Sequence, residues 1–302
     1  MSRGDTAMQN RDPKVVAWGI LSILALVWGS SFILIKYGLI YFSPAQVGSI
    51  RIVIAFLFLL PFALKHIGNL KRKDVGWIFL SGMIGNLIPS LLFAYAETVV
   101  PSAIAGVLNS LTPIFTLVIA SVFFKTRFSR LNIAGIMIGL AGAVMLMLSV
   151  NGGVVDLRIG YALLIVLATL MYAANLNIIK NKLSHLHPIH FTAFAFMFTG
   201  PVAAVFLTTF TPVWSSITAP GAGMGLLYIS ILAIVGTALA LMLHNYLIRL
   251  TNVIFSSSVT YLMPVVAMFN GIADGEVFKP VYIVWISIII GGVFMVNSRK
   301  PR

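Results

Sequence analysis

The sequence contains no cysteine and few charged residues, and each shortage excludes a class of protein. Without cysteine the chain has no disulfides, no thiolate metal ligands and no thiol nucleophile. Charged residues make up 9% of the chain and hydrophobic residues 60%, with a mean hydropathy of +1.03. A soluble domain needs more polar side chains than this to cover its surface. The composition therefore predicts a membrane protein with many spans.

Hydropathy divides the chain into ten apolar spans joined by short polar segments. A hydrocarbon core about 30 Å thick requires roughly 20 apolar residues per helix, so the chain has room for about ten helices. Residues 1–14 and 298–302 are predicted to be polar tails. No cleavage site of small residues follows the polar start, so we expect the first span to remain in the membrane. The predicted spans are residues 15–35, 44–64, 75–96, 100–123, 131–150, 159–180, 188–208, 222–248, 253–272 and 280–297.

The distribution of basic residues predicts the orientation of these spans. Sixteen of the 20 Lys and Arg residues lie in the two tails and in every second gap, three lie in the other gaps, and Arg51 lies inside a span. Because cytoplasmic segments carry the excess of basic residues, both tails are predicted to be cytoplasmic. The net charge of +13 then reflects topology and contact with anionic lipid, so nucleic acid is not an expected partner.

An internal repeat organises the chain. Residues 95–125 and 246–276 match at an offset of 151, which aligns Pro113 with Pro264, while Trp28 and Tyr172 align at an offset of 144. Ten spans divide into five per half, and an odd number inverts the second half relative to the first. The predicted fold is therefore an all-α bundle of two inverted five-helix repeats, residues 15–150 and 159–297.

Polar residues inside the spans mark candidate functional positions. Arg51 lies two turns into the second span, where a charge is costly unless it reaches the headgroups, pairs or lines water. Its most accessible partner by topology is Glu97, although snorkelling to the headgroups is an equal alternative. Asn86 and Pro89 interrupt the third span, and irregular backbone at that depth must face protein or water.

Several motifs together resemble EamA-type members of the drug/metabolite transporter superfamily. Trp28-Gly29-Ser30-Ser31-Phe32 followed by Lys36, and Ser43-Pro44 followed by Arg51, are similar to the opening of that family. Gly275-Glu276-Val277-Phe278-Lys279-Pro280 resembles a later segment, whereas Thr126-Arg127 departs from the Gly-Glu that the family often carries. The resemblance covers nearly all of residues 15–297. It implies two inverted repeats around a central cavity and export of small metabolites, including aromatic and other neutral amino acids in the YddG-like exporters.

Inverted repeats place a binding site near the bilayer midplane, where interrupted helices from both halves meet. Packing remains the alternative role for each residue predicted to form this site. The predicted substrate-binding residues are Trp28, Ser31, Asn86, Asn109, Tyr172, Asn175 and Tyr261; the predicted gating or electrostatic residues are Arg51, Glu97 and His244; and the predicted helix kinks are Pro89, Pro113 and Pro264.

The predicted function is alternating-access export of small metabolites across the inner membrane, with aromatic or other neutral amino acids as the leading substrates. Drugs, sugars or nucleosides on the same fold are the alternative, followed by a passive channel or an intramembrane enzyme. An enzyme would need a nucleophile with a base, or a metal cluster, and the histidines between residues 185 and 190 lack HExxH spacing. No carboxylate lies mid-span, so proton coupling and facilitated diffusion both stay open. We expect no cofactor and no metal, with the substrate and membrane lipid as partners of a monomer.

Overall fold

The computed structural model describes residues 13–100, 102–124, 129–150, 159–274 and 280–297, and these residues form helices and short connections without a strand. Residues 1–12 and 298–302 of the predicted tails, Thr126-Arg127 and residues 275–279 lie outside the described residues. The helices are α1 (Pro13–Leu39), α2 (Pro44–Lys65), α3 (Arg72–Ala96), α4 (Ser102–Asn109 and Thr112–Phe124), α5 (Arg130–Val150), α6 (Ile159–Lys182), α7 (Pro188–Phe210), α8 (Ala222–Leu250), α9 (Val253–Ala273) and α10 (Val281–Asn297).

The helices confirm the predicted all-α membrane fold. Seven of them, α1 to α3 and α6 to α9, are long and apolar enough to cross a bilayer. Shorter apolar stretches, Thr112–Phe123, Arg130–Gly142 and Val281–Met295, lie in α4, α5 and α10. The ten helices follow the ten predicted spans in order.

Local sequence sets where several helices begin. Ser43 and Gln46 form a capping box around Pro44, the first residue of α2. The Ser43 amide donates to Gln46 Oε1 at 2.9 Å, and the Gln46 amide donates to Ser43 Oγ at 3.4 Å. Asn252 caps α9 by accepting hydrogen bonds from the Ile254 and Phe255 amides. These caps stabilise sharp entries into α2 and α9 from neighbouring turns.

Both halves interrupt the same helices. A π-helical turn occupies Met83–Leu87 in α3 and Ile234–Leu239 in α8, and their starts are separated by the repeat offset of 151 residues. A π-helical turn replaces the ordinary i to i−4 bonds and is frequent at functional sites. Helix α4 breaks at Ser110–Leu111 and α9 at Ser258, while α1 breaks at Ser30.

Two helix pairs join equivalent elements of the repeats and hold the bundle together. Helix α2 packs along α7, and α5 packs along α10. At the second contact, a Cβ atom on Gly292 would lie 2.5 Å from the Gly139 amide nitrogen, so the two backbones approach as closely as glycine allows. The other six helices lie between these pairs and, with α2 and α7, surround the central cavity.

Candidate functional site

A cavity lies at the interface of the two halves and contains about 1110 Å³ of empty space, part of it open to the outside. Its described lining residues come from α1 to α4 and α6 to α9. Six of the seven predicted substrate-binding residues line it, together with Arg51 and His244. The six are Trp28, Ser31, Asn86, Asn109, Tyr172 and Asn175.

One wall of the cavity is formed by α1 and the π-helical turn of α8. The Trp28 indole Nε1 donates to the Gly236 carbonyl at 2.9 Å, and its ring meets the His244 ring edge-on at 4.9 Å between centroids. A Cβ atom on Gly236 would lie 2.9 Å from Ser31 Oγ, so a larger residue there would displace the Ser31 hydroxyl. The indole therefore occupies a carbonyl that the π-helical turn presents to the cavity.

The opposite wall repeats this arrangement with α6 and the π-helical turn of α3. The Tyr172 ring stacks on Phe93 at 6.0 Å between centroids, and the Ser81 hydroxyl donates to Asn175 Oδ1. Gly85 leaves the space that the Asn175 amide fills. Tyr172 is the repeat equivalent of Trp28, Asn175 of Ser31, and Phe93 of His244, at offsets of 144, 144 and 151. The cavity thus has two related aromatic walls.

Arg51 breaks this symmetry. Its Nε donates to Thr237 Oγ1 at 2.6 Å, and the Thr237 hydroxyl donates to the Leu232 carbonyl at 2.9 Å. Within the described part of the chain this is the hydrogen bond that the guanidinium makes, which leaves the N–H groups of both Nη atoms available. The repeat-equivalent position is Ala195, which also lines the cavity. Among the described lining residues, only the first half therefore supplies a cation.

Arg51 and Glu97 form no direct ion pair in this structure, although their charges are close enough to interact. The ion pairs among the described residues are Lys36–Asp274 and His185–Asp74, and Arg51 comes within 4.0 Å of no described carboxylate. Glu97 instead lines a second pocket outside the central cavity. Topology put both residues toward the same end of the bundle, but the hydrogen bond that Arg51 makes goes to Thr237.

The structure differs from one of these predictions. Tyr261 is fully buried, and its ring packs on Gly139 of α5, so it does not line the cavity; Thr260, one residue earlier, does. Pro89 and Pro113 each lie just after a helix interruption, and Pro264 lies inside the helix Val259–Ala273. Kinks at these three prolines stay a prediction. Helix α9 breaks at Ser258, whose hydroxyl donates to the Phe255 carbonyl at 2.7 Å. Such side-chain hydrogen bonds compete with the backbone hydrogen bonds of a helix.

Sequence reasoning missed Thr237 and Phe93. Phe93 could have been found by applying the offset of 151 to His244, since paired positions of inverted repeats line the same cavity. Thr237 carries no signal of its own in the sequence. It is recognised only because Arg51 reaches it.

The histidines of the α6–α7 turn lie at the end of the bundle that carries Lys65, Lys182 and Arg249. There His185 Nε2 lies 3.0 Å from Asp74 Oδ2, and His190 stacks on His66 at 4.1 Å between centroids. No group of three or more potential metal ligands is found among the described residues. These contacts link α2 and α3 to α7 outside the cavity.

Ten helices, seven of them long and apolar enough to cross a bilayer, around a cavity with paired, interrupted walls are typical of a carrier for small molecules. The chain belongs to the EamA-like transporter family, which matches residues 16–148 and again residues 159–298.

Relatives span nearly the whole chain. The "Uncharacterized inner membrane transporter YedA" of Escherichia coli (strain K12) is 28% identical over 289 residues, which cover 94% of this chain and 91% of that protein. A "Probable terminal-alkyne amino-acid exporter" of Streptantibioticus cattleyicolor is 27% identical over 289 residues, or 93% of each chain. A solved crystal structure with 16% identity and a TM-score of 0.73, covering 93% of this chain and 96% of that one, has the same fold.

Proposed function

We propose that this transporter exports small amino acids with aromatic or other neutral side chains by alternating access. The observation that carries the proposal is Arg51, whose guanidinium reaches the central cavity with free N–H groups. Among the described residues that line the cavity there is no aspartate or glutamate. A carboxylate ligand would therefore meet a cation in a setting of low dielectric, where such a hydrogen bond is strong.

The aromatic walls favour an uncharged side chain on the ligand. Phe93 and Tyr172 on one side and Trp28 on the other offer flat apolar faces, while Asn86 and Asn109 offer amide groups. Rings of this kind stack on a flat or apolar group with little loss of conformational freedom. The name of the Streptantibioticus relative, an amino-acid exporter, supports the same substrate class.

The proposed orientation puts the end with Lys65, Lys182 and Arg249 in the cytoplasm, as the positive-inside rule requires. The name of the Escherichia coli relative supports a location in the inner membrane. In this orientation the opposite end, which carries Lys36 and Asp274, faces outward.

Alternating access requires that the outward end open and close, and the seam between α1 and α9 is suited to this. Lys36 Nζ lies 2.9 Å from Asp274 Oδ2, and the Tyr37 hydroxyl donates to Asp274 Oδ1 at 2.8 Å. Closer to the cavity, Asn270 Nδ2 donates to Ser30 Oγ at 3.1 Å. We propose that these polar contacts break when substrate leaves. Exposed polar contacts of this kind exchange readily with water, whereas packed apolar layers do not.

Counterflow of labelled phenylalanine in proteoliposomes tests the proposal. Arg51→Gln removes a charge-assisted hydrogen bond worth about 1.5–3 kcal/mol, so KM should rise roughly 10- to 150-fold. Arg51→Lys should retain part of the affinity because it keeps the charge without the fork of donors.

Lys65→Gln is the matched control, since it also removes one cation but lies outside the cavity. Its KM should equal that of the wild type. Saturable transport of sugars or nucleosides with no response to Arg51→Gln would reject the amino-acid assignment and favour neutral solutes.

A further inference from the structure

A second pocket lies between the central cavity and the end of the bundle that carries Lys36. It is formed by α1, the turn after α3, the start of α4 and the end of α9, and about 810 Å³ of empty space lies in it and in front of its opening. We call it the outer pocket. Phe32 lines both the outer pocket and the central cavity and is 4% exposed. The Phe32 ring therefore belongs to the walls of both spaces.

Glu97 lines the outer pocket without a counter-ion in direct contact, although Arg51 is close enough for the two charges to interact. Both of its carboxyl oxygens are buried, and neither has a hydrogen-bond partner among the described residues. The Ser102 side chain lies beside the carboxyl group but does not reach hydrogen-bonding geometry. The lysine of the same wall, Lys36, is engaged by Asp274 at 2.9 Å. Burying an unpaired carboxylate is costly, so a pocket that keeps one is prepared for a cation that comes and goes.

The rest of the described wall also favours a cation. Glu97 and Asp274 supply two carboxylates against one lysine. The Thr98 hydroxyl donates its proton to the Tyr95 carbonyl at 2.7 Å, so toward the pocket it can only accept. The central cavity has the opposite character, since Arg51 lines it and none of its described lining residues is acidic. Phe32 thus belongs to the walls of a cationic space and of an anionic one.

We propose that the outer pocket is an exit subsite for a primary ammonium group, with Glu97 as its counter-ion. That this ammonium group belongs to the transported substrate rests on the proposed amino-acid export. A zwitterion first binds through its carboxylate at Arg51. When the seam between α1 and α9 opens and Phe32 turns aside, its ammonium group reaches Glu97. The two charges of the substrate are therefore recognised at successive places along one path.

Ligand-induced shifts in Tm of the purified full-length protein test this with two half-substrates. Phenethylamine carries the ammonium group without a carboxylate, and 3-phenylpropionate carries the carboxylate without an amine. Glu97→Gln keeps the shape of the side chain and should weaken apparent phenethylamine affinity at least tenfold while 3-phenylpropionate still binds. Arg51→Gln should show the reverse pattern. The ligand-free Tm of Glu97→Gln should equal or exceed that of the wild type, because the change removes a buried unpaired charge.

The outcomes separate this subsite from the proposed function. Equal phenethylamine shifts in the wild type and Glu97→Gln, or no shift in the wild type, would overturn the subsite and leave amino-acid export standing. If the wild type bound neither 3-phenylpropionate nor phenylalanine, while Glu97→Gln still weakened phenethylamine binding, the substrate assignment alone would be overturned. The last measurement compares the Tm of the protein in sodium buffer with its Tm in choline buffer. A sodium-dependent shift that competes with phenethylamine would assign Glu97 to an inorganic cation and reject the proposal.

Discussion

The neighbouring glycines of α10 provide a quantitative test of what holds the bundle together. Gly292 is buried against α5, and an added Cβ atom would lie 2.5 Å from the Gly139 nitrogen and 2.8 Å from the Gly135 carbonyl oxygen. Gly291 is exposed, and the same atom would meet nothing within 4 Å. Backbone atoms cannot rotate away, so Gly292→Ala must push α5 and α10 apart.

The pair of variants isolates the packing cost. Gly to Ala in a helix gains about 1 kcal/mol of intrinsic propensity, and this gain applies to both positions. Overpacking typically costs about 1–3 kcal/mol, and it applies to Gly292→Ala alone. We therefore expect the free energy of unfolding of Gly292→Ala to lie about 1–3 kcal/mol below that of Gly291→Ala.

Thermal unfolding of the two variants in the same detergent measures this difference. Gly291→Ala should match or exceed the wild-type Tm, and Gly292→Ala should lie at or below it. Because α5 and α10 contribute none of the described cavity-lining residues, KM for transport should be unchanged in both. Equal Tm values, or a KM change in Gly292→Ala alone, would refute the assignment of this helix pair to scaffold.

Two further predictions concern the ends of the bundle. Single cysteines can be introduced directly because the chain has none. On intact cells a membrane-impermeant maleimide should label Ile40→Cys but not Lys65→Cys. The opposite labelling pattern would contradict the proposed topology. At the seam, hydrogen bonds from Lys36 and then Tyr37 hold the pKa of Asp274 below its usual value. The stabilisation that these hydrogen bonds give the seam should therefore be fully present above the ordinary aspartate pKa of about 3.9. It should be lost only as the pH falls through the lowered pKa of Asp274. Tyr37→Phe should shift this opening to higher pH, measured by maleimide labelling of Ile33→Cys; an unchanged midpoint would exclude a contribution from Tyr37.

The sequence was sufficient for the architecture because hydropathy and charge act over whole segments. Twenty apolar residues in a row can satisfy their backbone groups in lipid only as a helix, so the order of the ten helices follows directly. The offset of 144 then identified Tyr172 and Asn175 as counterparts of Trp28 and Ser31, and all four line the cavity.

The rotation of each helix could not be predicted in the same way. One residue is about 100° of rotation, and in a helix apolar on all sides nothing in the sequence fixes that angle. Tyr261 therefore faces α5 while Thr260 faces the cavity. The contact of Arg51 could not be predicted for a related reason. Topology gives the depth of Glu97 but not the direction in which a long side chain extends. Thr237 presents an acceptor from a π-helical turn that no proline announces.

The single arginine of the cavity has a consequence for how such a protein can be assembled. Two identical five-helix chains related by a twofold axis would have to place either two arginines or two alanines at the positions of Arg51 and Ala195. A ligand with one carboxylate would find two equivalent cations in the first case and none in the second. Joining the halves in one polypeptide lets these positions differ, so a symmetric shell can hold its ligand in a single orientation. The difference between the two repeats at this position, and not their shared shell, sets the orientation of the ligand.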